Sequence, residues 1–376
     1  MTPIFRTAQL SRQSMPKNEQ LPHPSDAPPL SISSGLLPLN AYRLIIDART
    51  PGEFDEDHIP GAINLPVVDQ PQFAEVGTLH RTDTHAAYSV GVRYSLVNIA
   101  RSLPLITDTI DPSEPILVYC FRGGKRSALW ADNLRIVGHN VHVLKGGWKA
   151  YRRWINQQLT ELPQRFTYKV LFGSTGCGKT RLLSSLQRAG AQVLDLEALA
   201  VHRGSLIGAV PGQAQPPQKV FDSILVATML RFDPSKPVWL ESESRKIGQV
   251  QIPVSLYDQM RSPTSSIYSL AMPMEQRVLL WKEDYSHHAD DPVSMVNRLL
   301  PVRPLVGGDE YAAWQALAQD RNIDALFTRV MEKHYDPAYA RSLSGHYREH
   351  LETMVTFELP SCSQLDIDAV ALRLLA

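Results

Sequence analysis

Residues 173–180 read GSTGCGKT, and the residues on either side of them decide the fold. An apolar run, residues 168–172 (YKVLF), precedes this stretch, and residues 179–188 have the composition of a helix. A strand, a glycine-rich turn and a helix in that order predict a parallel α/β unit, because a helical crossover is the usual connection between parallel strands. The amides of the turn and the N-terminus of the helix would together favour a bound phosphate.

The glycines and the Lys-Thr pair match G-x-x-x-x-G-K-[ST], the pattern of a P-loop. Lys179 would neutralise phosphate charge, and Thr180 could hold Mg²⁺. Cys177 is interpreted as a small filler side chain. Any diphosphate would suit this loop, so the pattern does not require ATP. The predicted phosphate-binding residues are Gly173, Ser174, Thr175, Gly176, Cys177, Gly178, Lys179 and Thr180.

Acidic residues follow two further predicted strands. Asp195 and Glu197 end the stretch VLDLE, and Glu241 and Glu243 lie in VWLESES. Carboxylates at strand ends near a P-loop can hold Mg²⁺ directly or through water. The sequence leaves open which strand end does so and whether a metal is needed. The candidates for this role are Asp195, Glu241 and Glu243.

The rest of the chain divides around this unit. Residues 1–35 are rich in proline and lack apolar periodicity, so we predict a disordered leader, which could be an organelle signal or a start-codon artefact. Short apolar strands alternating with helices predict a first α/β domain over residues 36–159. Residues 160–166, which include a proline, are predicted to be a linker. The P-loop domain would then fill residues 167–376, with a helical C-terminal part beyond about residue 274.

Residues 119–127 read YCFRGGKRS and place Cys120 where a predicted strand ends and a helix begins. The amides of such a turn and the positive end of the helix would point at the sulfur. Arg122, Lys125 and Arg126 add formal positive charge. All of these favour the thiolate, which is the nucleophilic form of cysteine. We therefore predict Cys120 as the nucleophile, with Arg122 and Arg126 as its catalytic partners.

Two neighbouring stretches identify this first domain. Residues 47–66 read DARTPGEFDEDHIPGAINLP and residues 144–148 read LKGGW, and both resemble the rhodanese superfamily. The resemblance covers about residues 36–158. It implies a parallel sheet with helices on both faces and Cys120 as the carrier of a transferable chalcogen.

The cysteine loop departs from the common sulfurtransferase pattern in one respect. Arg126 stands six residues after Cys120, the C-x5-R spacing of cysteine phosphatases, whereas the common loop places the arginine five residues away. The longer loop has room for a phosphate or for a selenium-bearing group. Its length does not choose between them.

Positive charge is concentrated beside this loop. Residues 122–153 hold eight Lys or Arg side chains and one acid, Asp132, in a chain whose 38 basic and 38 acidic residues balance. A local basic face of this kind predicts an RNA-binding surface, although the neutral total excludes a globally basic protein. The predicted RNA-binding residues are Arg135, Lys145, Lys149, Arg152 and Arg153.

A rhodanese-like domain followed directly by a P-loop domain resembles the tRNA 2-selenouridine synthase family. Residues 195–205 (DLEALAVHRGS), 241–248 (ESESRKIG) and 335–339 (YDPAY) extend that resemblance over nearly the whole chain after the leader. It implies that wobble 2-thiouridine in tRNA is S-geranylated by geranyl diphosphate, and that selenium from selenophosphate then replaces the geranylated sulfur through Cys120. The implied partners are the anticodon loop of tRNA and a selenophosphate-supplying enzyme, and we expect a monomer.

Two other readings remain open. The C-x5-R spacing would also suit a cysteine-dependent phosphatase, or a sulfurtransferase, fused to a kinase-like P-loop domain. A binding module without catalysis could use the basic face to hold RNA. Intact Cys120 and Lys179 count against that second reading, because an RNA-binding module has no chemical need for either.

Composition narrows the class of protein further. Apolar residues make up 43% of the chain and charged residues 20%, which indicates a globular protein. No apolar run approaches the ~18–20 residues of a membrane span. Three cysteines (Cys120, Cys177 and Cys362) cannot form a disulfide framework and indicate a reducing compartment, so we expect a cytoplasmic protein without a membrane partner.

Overall fold

The computed structural model describes residues 36–376, so the leader predicted for residues 1–35 lies outside the described residues. Two parallel sheets follow one another along the chain, each joined by helical connections. This confirms the predicted fold class, α/β with a rhodanese-like unit before a P-loop unit. Within the described part, no helix is both long and apolar enough to cross a bilayer.

The first unit contains a four-stranded parallel sheet covered by helices. In chain order its elements are a 3-10 turn (Leu39–Ala41), β1 (Leu44–Asp47), α1 (Pro51–Glu56), β2 (Ile63–Asn64), α2 (Gln70–Thr82), α3 (Thr84–Thr107), β3 (Ile116–Tyr119), α4 (Lys125–Ile136), β4 (Val141–Val143) and α5 (Gly147–Glu161). The strand order is β2-β1-β3-β4. Alternate residues of the central strands face opposite sides: Ile46 and Val118 pack towards α3 and α4, while Ile45 and Leu117 pack towards α5. Helices therefore cover both faces, which is why the central strands are fully buried.

The second unit contains a five-stranded parallel sheet and a separate two-stranded hairpin, β8-β9. The sheet order is β11-β10-β5-β7-β6, so the strand before the P-loop is central. Its elements begin with a 3-10 turn (Leu162–Arg165), β5 (Tyr168–Gly173), α6 (Lys179–Arg188), β6 (Gln192–Val193), α7 (Leu196–Ala200), α8 (Gln218–Met229), β7 (Val238–Glu241), β8 (Lys246–Ile247), β9 (Val250–Gln251), α9 (Val254–Gln259) and β10 (Ser266–Ala271). They continue with α10 (Met274–Asp284), α11 (Ser286–Asp290), α12 (Pro292–Arg298), a 3-10 turn (Leu300–Val302), α13 (Arg303–Val306), α14 (Gly308–Gln319), α15 (Ile323–Val330), a π-helical turn (Met331–Tyr335), α16 (Asp336–His346), a 3-10 turn (Arg348–His350), β11 (Val355–Glu358) and α17 (Gln364–Leu375).

Two segments differ from the sequence-based expectation. The predicted linker, residues 160–166, forms the end of α5 and a 3-10 turn, and its Leu162 and Phe166 are buried. The C-terminal part, predicted to be helical, also contains β11, which pairs with β10 at the edge of the sheet. The sequence of β11, VTFE, does alternate apolar and polar residues, but four residues are too few for that alternation to stand out beside the helical pattern around it.

The two units share one hydrophobic core. Tyr151 and Ile155 of α5 belong to the same buried cluster as Phe221 and Leu225 of α8. Helix α5 therefore packs on the first sheet with one part of its surface and on the second unit with another. This shared helix is what brings the cysteine loop and the second unit into one packed structure.

Candidate active sites

The loop after β3 holds Cys120 against backbone amides. Gly124 donates its N–H to the Cys120 sulfur at 3.2 Å, and the Ser127 hydroxyl lies 3.3 Å from the same sulfur. Helix α4 begins at Lys125, directly after this turn, so its N-terminal end lies beside the sulfur. The geometry matches the sequence-based expectation that amides and a helix terminus surround the cysteine.

This environment lowers the pKa of the Cys120 thiol. Burial raises the pKa, since only 3% of the residue is exposed, but hydrogen bonds from Ser127 and from the amides of Gly124 and Arg122 lower it by more. A larger share of the thiol is therefore ionised at neutral pH than in an ordinary cysteine. The loop can support nucleophilic or carrier chemistry at this sulfur.

Helix α5 closes the other side of the cysteine loop. Trp148 and Lys149, in its first turn, donate their N–H groups to the carbonyls of Cys120 (2.8 Å) and Phe121 (3.1 Å). Gly147 has a φ of +57°, and a Cβ there would lie 2.1 Å from the Cys120 carbonyl. Only glycine permits this approach, which explains the Gly-Gly-Trp sequence at the helix start.

Arg126 is not free to bind an anion at the cysteine. Its guanidinium forms two hydrogen bonds with the Glu53 carboxylate, at 2.6 and 3.2 Å. Glu53 also completes the capping box of α1 with Thr50, so this ion pair fixes α1 against α4. The C-x5-R spacing therefore does not place the arginine as it would serve in a phosphatase. Arg122, the other predicted partner, is exposed.

Asp47 and Arg49, at the end of β1, form a buried ion pair that stabilises the first unit. Arg49 is 1% exposed and forms an ion pair with Asp47 at 2.6 Å. Its guanidinium also donates to the Asp57 carbonyl and lies over the rings of Tyr119 and Trp148. It thereby connects the end of β1 to β3 and to the start of α5, on both sides of the cysteine loop.

The P-loop joins β5 to α6 as the motif predicts. Gly176 and Gly178 have φ values of +77° and +81°, which glycine adopts without strain. Lys179 is 8% exposed, and its ammonium donates to the Gly173 carbonyl at 2.9 Å. Burial lowers the pKa of Lys179, but nearby Tyr339, Cys177 and Glu241 raise it by more, so the side chain stays charged. Cys177 is buried in the core beneath the loop.

Three carboxylates meet beside the P-loop. Oxygens of Glu197, Glu241 and Glu243 lie within 4.8 Å of one another. Burial and then repulsion between the acids raise the pKa of Glu197 and of Glu243 to about 8, and raise that of Glu241 well above its ordinary value. Glu241 is 1% exposed, and one of its carboxylate oxygens has no hydrogen-bond partner. Such a group fits a divalent cation, and Mg²⁺ prefers oxygen ligands.

Asp195 does not belong to this carboxylate group. Its side chain accepts a hydrogen bond from Ala198 at 2.8 Å and so caps the N-terminus of α7. Asp195 was the candidate predicted from the stretch VLDLE, whereas Glu197, in the same stretch, is the residue that meets the other two acids. The turn that begins at Asp195 directs the Glu197 carboxylate towards Glu241 and Glu243, and no local pattern indicates that direction.

A cavity of about 670 Å³ lies over the P-loop and the three carboxylates. Its floor is formed by the loop residues and Lys179, and its walls come from the chain after α7 and from the C-terminal helices. The wall residues that later arguments use are Ser242, Arg261, Tyr285, Tyr335, Tyr339 and Tyr347.

The predicted RNA-binding residues separate into two groups. Lys145, Lys149 and Arg153 are exposed at or near the start of α5. Arg135 is exposed but binds Asp132 and the Val141 carbonyl. It lies nine residues beyond Arg126 on α4, about 13 Å further from the cysteine loop.

The prediction that all five basic residues contact RNA was wrong for Arg152. It is turned inward and forms ion pairs with Asp222 at 2.9 Å and Asp57 at 3.6 Å, with 12% of its side chain exposed. It cannot contact a phosphate while it holds those two acids. Clustering along the sequence could not reveal this, because Asp57 and Asp222 lie far from it in the chain.

Two family models match the chain: the rhodanese-like domain over residues 36–153, and the tRNA 2-selenouridine synthase AAA domain over residues 164–298. Curated relatives named tRNA 2-selenouridine synthase are similar over most of its length. One from Hydrogenovibrio crunogenus is 34% identical over 78% of this chain and 88% of its own. The chain belongs to the tRNA 2-selenouridine synthase family.

Other members of the tRNA 2-selenouridine synthase family agree with this assignment. The protein from Hahella chejuensis is 32% identical over 80% of this chain and 85% of its own, and the one from Nitrosomonas europaea is 35% identical over 64% and 63%. The Cys120 loop, the P-loop and the three carboxylates lie inside the two matched regions, whereas the cavity-wall residues Tyr335, Tyr339 and Tyr347 lie beyond residue 298. The family resemblance predicted from the sequence is thus confirmed, while the roles of individual site residues remain predictions.

Proposed function

We propose that this protein converts 2-thiouridine at the wobble position of tRNA into 2-selenouridine. The names of its relatives support selenouridine formation in tRNA as the overall reaction. The observation that carries the proposal is that one packed structure contains both a thiolate-stabilising cysteine loop and a P-loop with buried carboxylates. The proposed route uses the two sites in two successive steps.

The first step is S-geranylation at the P-loop. The thiocarbonyl sulfur of the base attacks C1 of geranyl diphosphate, the C–O bond breaks, and diphosphate leaves with the electron pair; the base then loses its N3 proton. The amides of the loop and the charged Lys179 stabilise the negative charge on the leaving diphosphate. Mg²⁺ held by Glu197, Glu241 and Glu243, when bound, would supply further positive charge to that diphosphate.

The second step is selenation through Cys120, with selenophosphate as the selenium source. Loading of Cys120 breaks the Se–P bond of selenophosphate, and the phosphoryl group passes to water as phosphate. Joining this selenide-level selenium to the Cys120 sulfur also removes two electrons, for which we propose a low-molecular-weight disulfide as the oxidant, reduced here to two thiols. The terminal selenium then attacks C2 of the base as the geranylated sulfur leaves with the C–S electron pair. Two thiols in turn cleave the remaining Se–S bond and free Cys120, which restores the disulfide and leaves no net oxidation or reduction. The Cys120 loop contributes by keeping the sulfur partly ionised through the hydrogen bonds that it receives from Gly124 and Ser127.

The proposed partners follow from this route. The anticodon loop of tRNA presents the wobble base, and a separate enzyme supplies selenophosphate. The exposed residues Lys145, Lys149 and Arg153 would contact RNA phosphates, and the protein would act as a monomer. The pairing of Arg126 with Glu53 disfavours the phosphatase reading, because a phosphatase loop needs that arginine for the phosphate.

A reconstituted reaction tests the route. The protein is incubated with a 2-thiouridine anticodon stem-loop, a thiol together with its disulfide, and Mg²⁺. Geranyl diphosphate and selenophosphate are added singly and together, and the nucleosides are identified by mass spectrometry. We expect S-geranyl-2-thiouridine with geranyl diphosphate alone and 2-selenouridine with both. Selenouridine formed equally well without geranyl diphosphate would overturn the two-step order.

A further inference from the structure

Unpartnered polar atoms gather on the cavity over the P-loop. Among residues 36–376, ten buried side-chain nitrogen or oxygen atoms have no hydrogen-bond partner. Eight of the ten belong to residues that line this one cavity. These eight residues are His202, Ser205, Glu241, Ser242, Arg261, Trp281, Tyr335 and Tyr347.

Buried polar atoms are nearly always hydrogen-bonded in folded proteins, so such a concentration calls for a ligand that supplies the missing partners. A diphosphate in the P-loop can meet the amides and Lys179 on the floor, but many of the unpartnered atoms lie on the walls. The volume of about 670 Å³ is in the range of small-molecule sites, ~300–1,000 Å³. The cavity is therefore suited to a polar ligand in addition to diphosphate.

The clearest polar group on the wall is formed by Arg261, Tyr347 and Ser242. Arg261 donates to the Glu243 carbonyl at 3.2 Å, and its guanidinium lies 3.4 Å over the Tyr257 ring and 5.2 Å from the Tyr347 ring centre. It is thus held in place while its Nε–H has no acceptor. The Tyr347 hydroxyl, 1% exposed as a residue, and the Ser242 hydroxyl also lack partners.

Aromatic rings line the same cavity. Tyr285, Tyr335 and Tyr339 contribute to its wall, and Lys179 lies 5.0 Å from the centre of the Tyr339 ring. Rings beside unpartnered donors and hydroxyls suit an unstacked nucleobase, which presents a flat face and a polar edge. A prenyl chain would contact the rings but would leave every unpartnered atom without a hydrogen bond.

We propose that this cavity receives a pyrimidine base flipped out of a single-stranded RNA loop. The base lies against the tyrosine wall, and its carbonyl edge meets the Arg261 Nε–H and the Tyr347 and Ser242 hydroxyls. The inference rests on the proposed function for its RNA substrate, and it assigns the base to a particular set of side chains. It places the base beside the P-loop, where a diphosphate ester would also bind.

Binding experiments test this assignment without any turnover. Filter binding compares two anticodon stem-loops that differ only at the wobble position, which carries uridine in one and an abasic residue in the other. For the unmodified protein we expect the uridine loop to bind ~5- to 150-fold more tightly, the effect of one stacked base. Tyr347→Phe and Ser242→Ala should each weaken the uridine loop ~2- to 10-fold, the effect of one hydrogen bond, and leave the abasic loop unchanged.

Tyr151→Phe is the matched control. Tyr151 is fully buried and its hydroxyl also lacks a partner, but it lies outside the cavity, so this change should leave both loops unaffected. Thermal unfolding of each variant verifies that it is folded. If either Tyr347→Phe or Ser242→Ala does not fold, the other variant still tests the assignment.

Two results would overturn the assignment. One is equal binding of the uridine and abasic loops by the unmodified protein. The other is an unchanged preference for the uridine loop in both variants, which would show that the Tyr347 and Ser242 hydroxyls do not meet the base. These binding experiments contain no selenium donor. A failure of the selenation reaction would therefore not affect a positive binding result, and a negative binding result would not by itself refute selenation.

Discussion

At the scale of single residues, two side chains carry the proposed chemistry and both depend on neighbours for their charge. The Cys120 sulfur is kept partly ionised by an amide and a hydroxyl, against the effect of its burial. The Lys179 ammonium stays charged in a buried position because acidic groups surround it. Removing either side chain should therefore affect one step and spare the other.

Cys120→Ser should stop selenium incorporation and spare geranylation, because only the second step needs a chalcogen carrier. S-geranyl-2-thiouridine should accumulate, as measured by mass spectrometry of digested RNA. Cys362→Ser is the control, since that half-buried cysteine lies outside both loops. A folded Cys120→Ser protein that forms neither product would refute the division of labour.

Lys179→Ala should weaken diphosphate binding and geranyl transfer by ~1.5–3 kcal/mol, about 10- to 150-fold, if one charge-assisted hydrogen bond is lost. The variant should still selenate an RNA that already carries the geranyl group. Single-turnover rates on the two RNA substrates separate the steps. Equal losses on both would mean that the P-loop serves selenation as well.

At the scale of elements, the second site is assembled from strand ends. Glu241 ends β7, Glu243 follows it, and Glu197 comes from the first turn after the neighbouring strand β6. Parallel strands deliver such residues to one edge of the sheet, the edge where β5 enters the P-loop. Three clustered acids, two of them buried and one half-buried, should make the stability of the protein depend on pH and on cations.

In the absence of metal, stability should fall as pH rises from about 4.5 to about 8. The pKa of Glu197 and of Glu243 is about 8 in the folded protein and near 4.5 when unfolded, so the folded state binds more protons over that interval. Mg²⁺ binds the deprotonated acids, so its stabilising effect should grow over the same interval.

Thermal unfolding between pH 5.5 and 8.5, with EDTA or with Mg²⁺, measures both trends. Glu243→Gln should reduce the pH dependence and the Mg²⁺ effect together. Glu275→Gln, an acid in the first turn of α10 outside the carboxylate group, is the control. A Mg²⁺ effect that is the same at pH 5.5 and 8.5 would contradict the proposed metal role of these acids.

At the scale of the whole molecule, helix α5 connects the two units. Its first turn binds the carbonyls of the cysteine loop, while Arg152, on the same helix, binds Asp222 of α8. Asp57 of the first unit joins this group: it accepts hydrogen bonds from the Trp148 indole at 2.8 Å and from the Ser223 hydroxyl at 3.1 Å. The buried contacts among Asp57, Arg152 and Asp222 thus link the two units.

Arg152→Met should reduce the free energy of unfolding by ~3–5 kcal/mol, because removing one partner of a buried ion pair leaves the acids uncompensated. Arg135→Met is the matched control on an exposed arginine, where the expected loss is about 1 kcal/mol or less. Urea denaturation measures both. A loss for Arg152→Met no larger than the control would show that the group contributes little to holding the units together.

RNA affinity should fall with salt by ~0.7–0.9 in log K per log unit of salt for each phosphate contact. The double reversal Lys149→Glu and Arg153→Glu should therefore reduce the slope by ~1.4–1.8 and weaken all tRNAs alike, because phosphate contacts do not read sequence. Filter binding over a range of salt concentrations measures the slope. An unchanged slope would move the RNA surface away from α5.

Features that depend on a few neighbouring residues were predictable before the fold was known. The strand, glycine turn and helix around residues 173–180, and the same arrangement around Cys120, were predictable because periodicity and turn chemistry act over a few neighbouring residues. The order of the two units followed from these motifs. The family assignment, now supported by the comparisons, rested on the same local patterns.

The contacts between distant parts of the chain became known only from the folded structure. Arg126 pairs with Glu53, 73 residues away, and Arg152 with Asp222, 70 residues away, and neither ionic partner could be predicted from the residues nearby in sequence. The cavity wall joins Arg261 to Tyr347 in the same manner. These partners could not be predicted because they depend on how helices and sheets pack against one another, and the charge or spacing of neighbours in the sequence carries no information about that packing.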